Sequence, residues 1–142
     1  MYCKTFDEGE LFHCAGNEYL MLLPRDVTSC AEVVLERVAA GQRTPPNAHA
    51  TFVQIYVILQ GEAEITIGEE TRRVAAPAVA FIPRNTNHFV VNKGATELRY
   101  LYVTVWPDGI PHAEFEGGWK RVYADMIQEY ADRGFPAKRV SS

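Results

Sequence analysis

The sequence has no apolar run near the roughly 20 residues that a membrane-spanning helix requires, which sets a helical membrane protein aside. Its opening residues, MYCKTFDEGE, lack an apolar stretch followed by a small-residue cleavage site. The expectation is therefore a cytosolic protein. Cysteine is scarce: Cys3, Cys14 and Cys30 are odd in number and form no CxxC pair. That argues against a disulfide framework and a cysteine zinc site, and predicts small buried or half-buried thiols in a reducing compartment. Basic residues form no stripe, the densest being the pairs Lys120-Arg121 and Lys138-Arg139, and the net charge is −4. A nucleic-acid partner is not expected, because phosphate neutralisation supplies most of such binding. Internal repeats, low-complexity tracts and long linkers are also missing. The reading is a single domain over residues 1–142.

What is present is β-rich. The runs 19–23, 31–38, 52–59, 62–67, 79–83, 88–91 and 97–105 are dense in Val, Ile, Tyr and Leu, as half-buried strands tend to be. Gly41, Gly61, Gly68, Gly94 and the triplets PRN and NKG punctuate them as turns. Gly68-Glu69-Glu70 reads as a hairpin tip. Many short strands at this spacing predict an all-β antiparallel sandwich or barrel, with its core at about 19–106. The C-terminal segment changes period. Trp119, Val122, Tyr123, Met126, Ile127 and Tyr130 follow an i, i+3, i+4, i+7 rhythm, predicting an amphipathic helix over about 119–133. Gly134 and Pro136 end it, and its stripe should pack on the barrel or a second subunit.

Four histidines are available to carry chemistry: His13, His49, His88 and His112. Around His88 the stretch PRNTNHFVVN places Pro83, Asn85, His88 and Asn92 at regular offsets, with Pro77 upstream. Around His49 the stretch GQRTPPNAHATFVQIYVILQG runs to Gly61. These stretches resemble the paired motifs of the cupin superfamily, small β-barrels (jelly rolls) with a metal or ligand site inside. In the second motif Pro77 stands for the leading glycine and Asn85 for the turn glycine, a side chain that tolerates positive φ. In the first, Gln54 falls on the glutamate position, His49 on the second histidine and Asn47 on the first. A competing alignment with His49 first and Thr51 second leaves too few residues before Gln54.

The resemblance implies one divalent transition metal (Fe, Zn, Mn or Ni) held by Asn47, His49, Gln54 and His88. Imidazoles suit such ions, with amide oxygens as weaker neutral ligands. Without a carboxylate ligand the ion's charge stays uncompensated, so the expected substrate is an anionic or carbonyl-bearing small molecule. The expected activity is of lyase, isomerase, cyclase or dioxygenase type. Tyr56 shares the strand alternation of Gln54 and is the candidate catalytic hydroxyl. A metal-free barrel binding a sugar or organic acid is the alternative. His13 is read as structural or exposed, His112 as solvated, and Arg99 as outward-facing. A homodimer is a further expectation from the resemblance.

Overall fold

A computed structural model describes residues 1–139. The chain builds β1 (Glu10–Cys14), β2 (Asn17–Leu23), α1 (Arg25–Thr28), β3 (Ala31–Val38), β4 (Val53–Gln60), β5 (Glu62–Ile67), β6 (Glu70–Ala75), β7 (Ala78–Ile82), β8 (His88–Val91), β9 (Leu98–Val105) and α2 (Gly118–Asp132). One sheet runs β1-β2-β3-β9-β4-β7 and a second runs β6-β5-β8, all paired antiparallel. The class is all-β with a C-terminal helix, a jelly-roll barrel.

The strands read from the sequence are present to within one or two residues. β6 had no run of its own and was implied only by the hairpin tip before it, and two further elements, β1 and α1, were missed. β1 carries Glu10, His13 and a single pair of large apolar residues, too little alternation to announce a strand; pairing with β2 creates it. The short α1 is too brief to show a period. The hairpin tip lies at Gly68-Glu69, with Ile67 opposite Glu70 and Gly68 at φ 62°. Asn85 takes φ 57°, the left-handed conformation anticipated for it. Asn92 is fully buried and bonds the carbonyls of Val38 and Thr96, which makes it a turn clamp.

The cysteine expectation needs correction. Cys14 is buried, its thiol pushed up to about 12 by burial and then by Glu36, but Cys3 and Cys30 are exposed. No helix among the described residues is long and apolar enough to cross a membrane.

Alternation sorts the larger sheet into two faces. Inward lie Glu32, Val34, Glu36 and Val38 of β3, Leu98, Tyr100, Tyr102 and Thr104 of β9, and Gln54, Tyr56 and Ile58 of β4, all buried. The deep rows are apolar and the outer rows polar, so the barrel's interior is a core at one end and a cavity at the other. Helix α2 covers that cavity with the stripe expected to pack on the barrel. Its start is held from outside: the Trp119 N–H donates to Asp26 Oδ1 at 2.9 Å. Gly118 sits at φ 78° with Asp26 so close that any Cβ would collide with its carboxylate.

Candidate functional site

The interior opens into a cavity of about 90 Å³, whose lining includes Asn47, His49, Gln54, Tyr56 and His88. All five residues singled out from the sequence therefore meet in one place. His88 begins β8. Its backbone exchanges two hydrogen bonds with Asn47, at 3.1 and 2.8 Å, which draws the 43–49 segment against the smaller sheet. His49 follows in an irregular stretch, and the chain bends at Ala50 and Thr51 before β4. The bend absorbs the change of parity between His49 and Gln54, so that both reach the cavity. Thr51 turns away and donates to Glu114 Oε1 at 2.8 Å.

The imidazoles lie 5.1 Å apart between ring centres, and His49 stacks on Phe52 at 4.3 Å. His88 Nδ1 sits 2.9 Å from the Thr86 carbonyl, which can only accept, so Nδ1 carries the proton and Nε2 keeps its lone pair. Burial lowers the pKa of His49 to about 4, with the nearby His88 adding to the effect. Burial also lowers that of His88, against the opposing Thr86 bond. Both rings are neutral at pH 7.

Gln54 donates from Nε2 to Thr104 at 3.1 Å, leaving its buried Oε1 without a partner among the described residues. Two neutral imidazoles and a free amide oxygen form a donor set that could hold a borderline divalent ion. Asn47 differs. Its Nδ2 donates to the Tyr130 hydroxyl and its Oδ1 accepts from Arg133 at 3.2 Å, so both ends of the amide are engaged by α2 and the turn after it. No cluster of three or more His, Cys, Asp or Glu occurs among the described residues. The Tyr56 ring lies 6.3 Å from that of His88 and 4.9 Å from that of Tyr100, and burial raises its phenol's pKa, keeping it a donor.

Several lining residues had no signal in the motifs. Besides Tyr56, five tyrosines, Tyr19, Tyr100, Tyr102, Tyr123 and Tyr130, surround the cavity together with Glu32, Glu36 and Arg25. Inward alternation in the runs 31–38 and 97–105 could have found Glu32, Glu36, Tyr100 and Tyr102. Nothing local marks Arg25, or the hydroxyls on α2. Arg25 closes on Glu32 at 2.9 and 3.0 Å, and the Tyr123 hydroxyl donates to the same carboxylate at 2.8 Å. Arg99 faces outward and bonds Glu97, while His112 is exposed and His13 is half-exposed beside Glu18, as expected.

Comparison with known proteins decides the family. The family model for the cupin domain matches residues 34–104, half of the chain. The chain belongs to the cupin family. This cupin is 32% identical over 66 residues to the mannose-1-phosphate guanylyltransferase RfbM of Salmonella typhimurium, a match covering 46% of this chain and 14% of that protein. The cupin thus spans a small part of that relative's length. Among solved structures it resembles a predicted oxalate decarboxylase from Thermotoga maritima, with a TM-score of 0.68, 20% identity, and coverage of 73% of this chain and 98% of that one. It also resembles KdgF from Halomonas sp., with a TM-score of 0.64, 20% identity, and coverage of 71% and 91%. A Cupin 2 conserved barrel domain protein from Salinispora arenicola matches 94% of this chain and 98% of its own, with a TM-score of 0.62 and 21% identity. These likenesses establish the barrel.

Proposed function

We propose that this cupin binds one divalent transition metal through His49, His88 and Gln54 and is an enzyme acting on a small carbonyl- or carboxylate-bearing molecule. The observation that carries the reading is the buried, partnerless Oε1 of Gln54 in one cavity with two neutral imidazoles. Asn47 takes a positioning role here: its backbone clamps His88 and its amide ties that clamp to α2. When bound, such an ion supplies Lewis-acid polarisation of a carbonyl or carboxylate oxygen. Tyr56, held as a phenol, donates a hydrogen bond to the substrate from beside His88. Helix α2 excludes bulk water from above. Lyase, isomerase and cyclase reactions use polarisation of this kind, and a dioxygenase reaction would require the ion to be redox-active iron. The relatives include a protein of a sugar phosphate and a predicted enzyme of an organic acid, and small oxygen-rich ligands of both kinds accord with the polar lining.

A metal-free binding barrel is the second reading, favoured by the engaged amide of Asn47, which reduces the candidate ligands to three. Metal analysis of untagged protein purified without chelator separates the two, alongside His49→Ala and His88→Ala. The first reading expects near-stoichiometric iron, manganese, nickel or zinc that both variants lose while their circular dichroism is unchanged. No metal in the native protein and no uptake on titration would leave only the second.

A further inference from the structure

Two cavity-lining acceptors are buried without a hydrogen-bond partner among the described residues: Gln54 Oε1 and Glu36 Oε2. The metal reading uses the first. It leaves the second unexplained. Glu36 is 5% exposed and accepts the Tyr100 hydroxyl on Oε1 at 2.6 Å. The other inward carboxylate of β3, Glu32, is saturated by Arg25 and Tyr123, but no ion pair reaches Glu36 among the described residues. The groups that face Glu36 are the phenols of Tyr19, Tyr56, Tyr100, Tyr102 and Tyr130 and the thiol of Cys14, all neutral at pH 7. A carboxyl in this state awaits a donor.

Sheet register places it relative to the proposed metal ligands. Gln54 pairs with Thr104 and Thr104 with Glu32, so these three share a row; Glu36 pairs with Tyr100 further along the same strands. Tyr56 and Tyr102 are paired in the row between, and the side chains bridge the rows: the Tyr56 ring stands 6.3 Å from that of His88 and 4.9 Å from that of Tyr100, whose hydroxyl bonds Glu36. A ligand anchored at His49 and His88 therefore passes Tyr56 before it meets Glu36. A cavity of about 90 Å³ limits the ligand to a few carbons and their oxygens.

We propose that Glu36 forms a second subsite that accepts a hydroxyl of the ligand, so that the ligand is a small hydroxy acid or hydroxy-carbonyl compound and not a dicarboxylate. The inference rests on the metal reading for where the ligand's other end lies. An ionised dicarboxylate brings only acceptors and a second negative charge to this carboxyl; a hydroxyl brings the missing donor. Burial raises the Glu36 pKa to about 7, against the opposing bond from Tyr100 and the nearby Tyr19 hydroxyl, which makes no hydrogen bond of its own to the carboxyl, so in mild alkali Glu36 is ionised and discriminates most strongly.

Glycerate and malonate have the same carbon and oxygen count and share one carboxylate, and differ in bringing hydroxyls or a second carboxylate. Titration calorimetry of both, near pH 8 where Glu36 is ionised, is run on the full chain with and without Mn(II). Glycerate is expected to bind at least about tenfold tighter. Glu36→Gln should bring the two affinities close together, and comparing that variant with wild type cancels any chelation of the ion in solution. If that variant does not fold, the wild-type protein still answers: malonate, and not glycerate, should gain affinity as the pH falls through about 7. Equal affinities in wild type, a preference untouched by Glu36→Gln, or no glycerate binding at ~10 mM would each overturn the subsite. Failure to bind Mn(II) would count against the metal reading alone, because the preference is also read without metal.

Discussion

Glu36 shows how far one residue's environment departs from what its identity suggests. Its carboxyl has an ordinary pKa of 4.5 and stands near 7 in the fold, because burial outweighs the hydrogen bond from Tyr100 and the nearness of the Tyr19 hydroxyl. A raised carboxyl pKa means that the fold favours the protonated form. Its contribution is fully present below about 4.5 and is lost as pH rises through about 7. The difference corresponds to on the order of 3 kcal/mol between the two ends of that window. Glu36→Gln keeps the shape and removes the titration. The variant should match wild type in melting temperature at the acid end and exceed it above the window, by several degrees at roughly 2–4 °C per kcal/mol. Parallel melting curves for the two proteins across the window would refute this account of Glu36.

At the scale of elements, α2 is held to the barrel by polar contacts that come from distant parts of the chain. Asp26 of α1 caps its first turn, Tyr123 joins the Arg25–Glu32 pair, Tyr102 meets Tyr123 at 2.6 Å, and Arg133 reaches the Pro46 carbonyl at 2.8 Å. Arg25 links several elements: it contacts Glu32 of β3, the Glu114 carbonyl at 2.7 Å, and the faces of Trp106 and Tyr123. Arg25→Ala would leave the fully buried Glu32 without its counter-charge, with the Tyr123 hydroxyl and the backbone N–H of residue 25 still donating to it, at a cost of roughly 3–5 kcal/mol. The paired change Arg25→Met with Glu32→Leu removes both charges and should recover most of that loss. Urea denaturation of the three proteins checks it; a double variant as unstable as Arg25→Ala would show that packing, and not the stranded charge, sets the cost. The helical period of 118–132 was legible in the sequence because it depends on neighbours three and four apart. Its cap was not, since Trp119 and Asp26 stand 93 positions apart.

For the whole molecule, the outward face of the larger sheet is the notable surface. Register aligns Leu20, Leu35, Leu101, Val57 and Val79 in one row across five strands, and Val33, Val103, Ile55 and Phe81 in the next. Val79 is 71% and Phe81 56% exposed on the edge strand β7. Leu20 and Leu35 are buried within the chain and the middle of the rows is half-buried, so the apolar surface turned to water lies at the β7 end, where it is unusually large for a sheet edge. It suits the homodimer expected from the family resemblance, because a row of this kind can pack on its own copy about a two-fold axis. We expect the wild-type chain to sediment as a dimer and Val79→Lys/Phe81→Lys as a monomer with metal content unchanged, since neither residue faces the cavity. A wild-type monomer at tens of micromolar (affinities weaker than about 7 kcal/mol) would remove the dimer.

The sequence by itself determined the barrel, most of its strands, the closing helix and five residues that do meet in one cavity. Those readings depend on period, turn chemistry and motif spacing, which are local. His49, Gln54 and His88 were legible because short segments of chain carry them at characteristic offsets. Only the tertiary structure decided that Asn47 is engaged by Tyr130 and Arg133, that Glu32 is neutralised while Glu36 is not, and that the tyrosines of α2 line the cavity. The physical reason is that a buried polar group takes its state from whichever partners the fold brings within hydrogen-bonding distance. Here those partners are up to 91 positions away along the chain, as Tyr123 is from Glu32, and no local pattern records them.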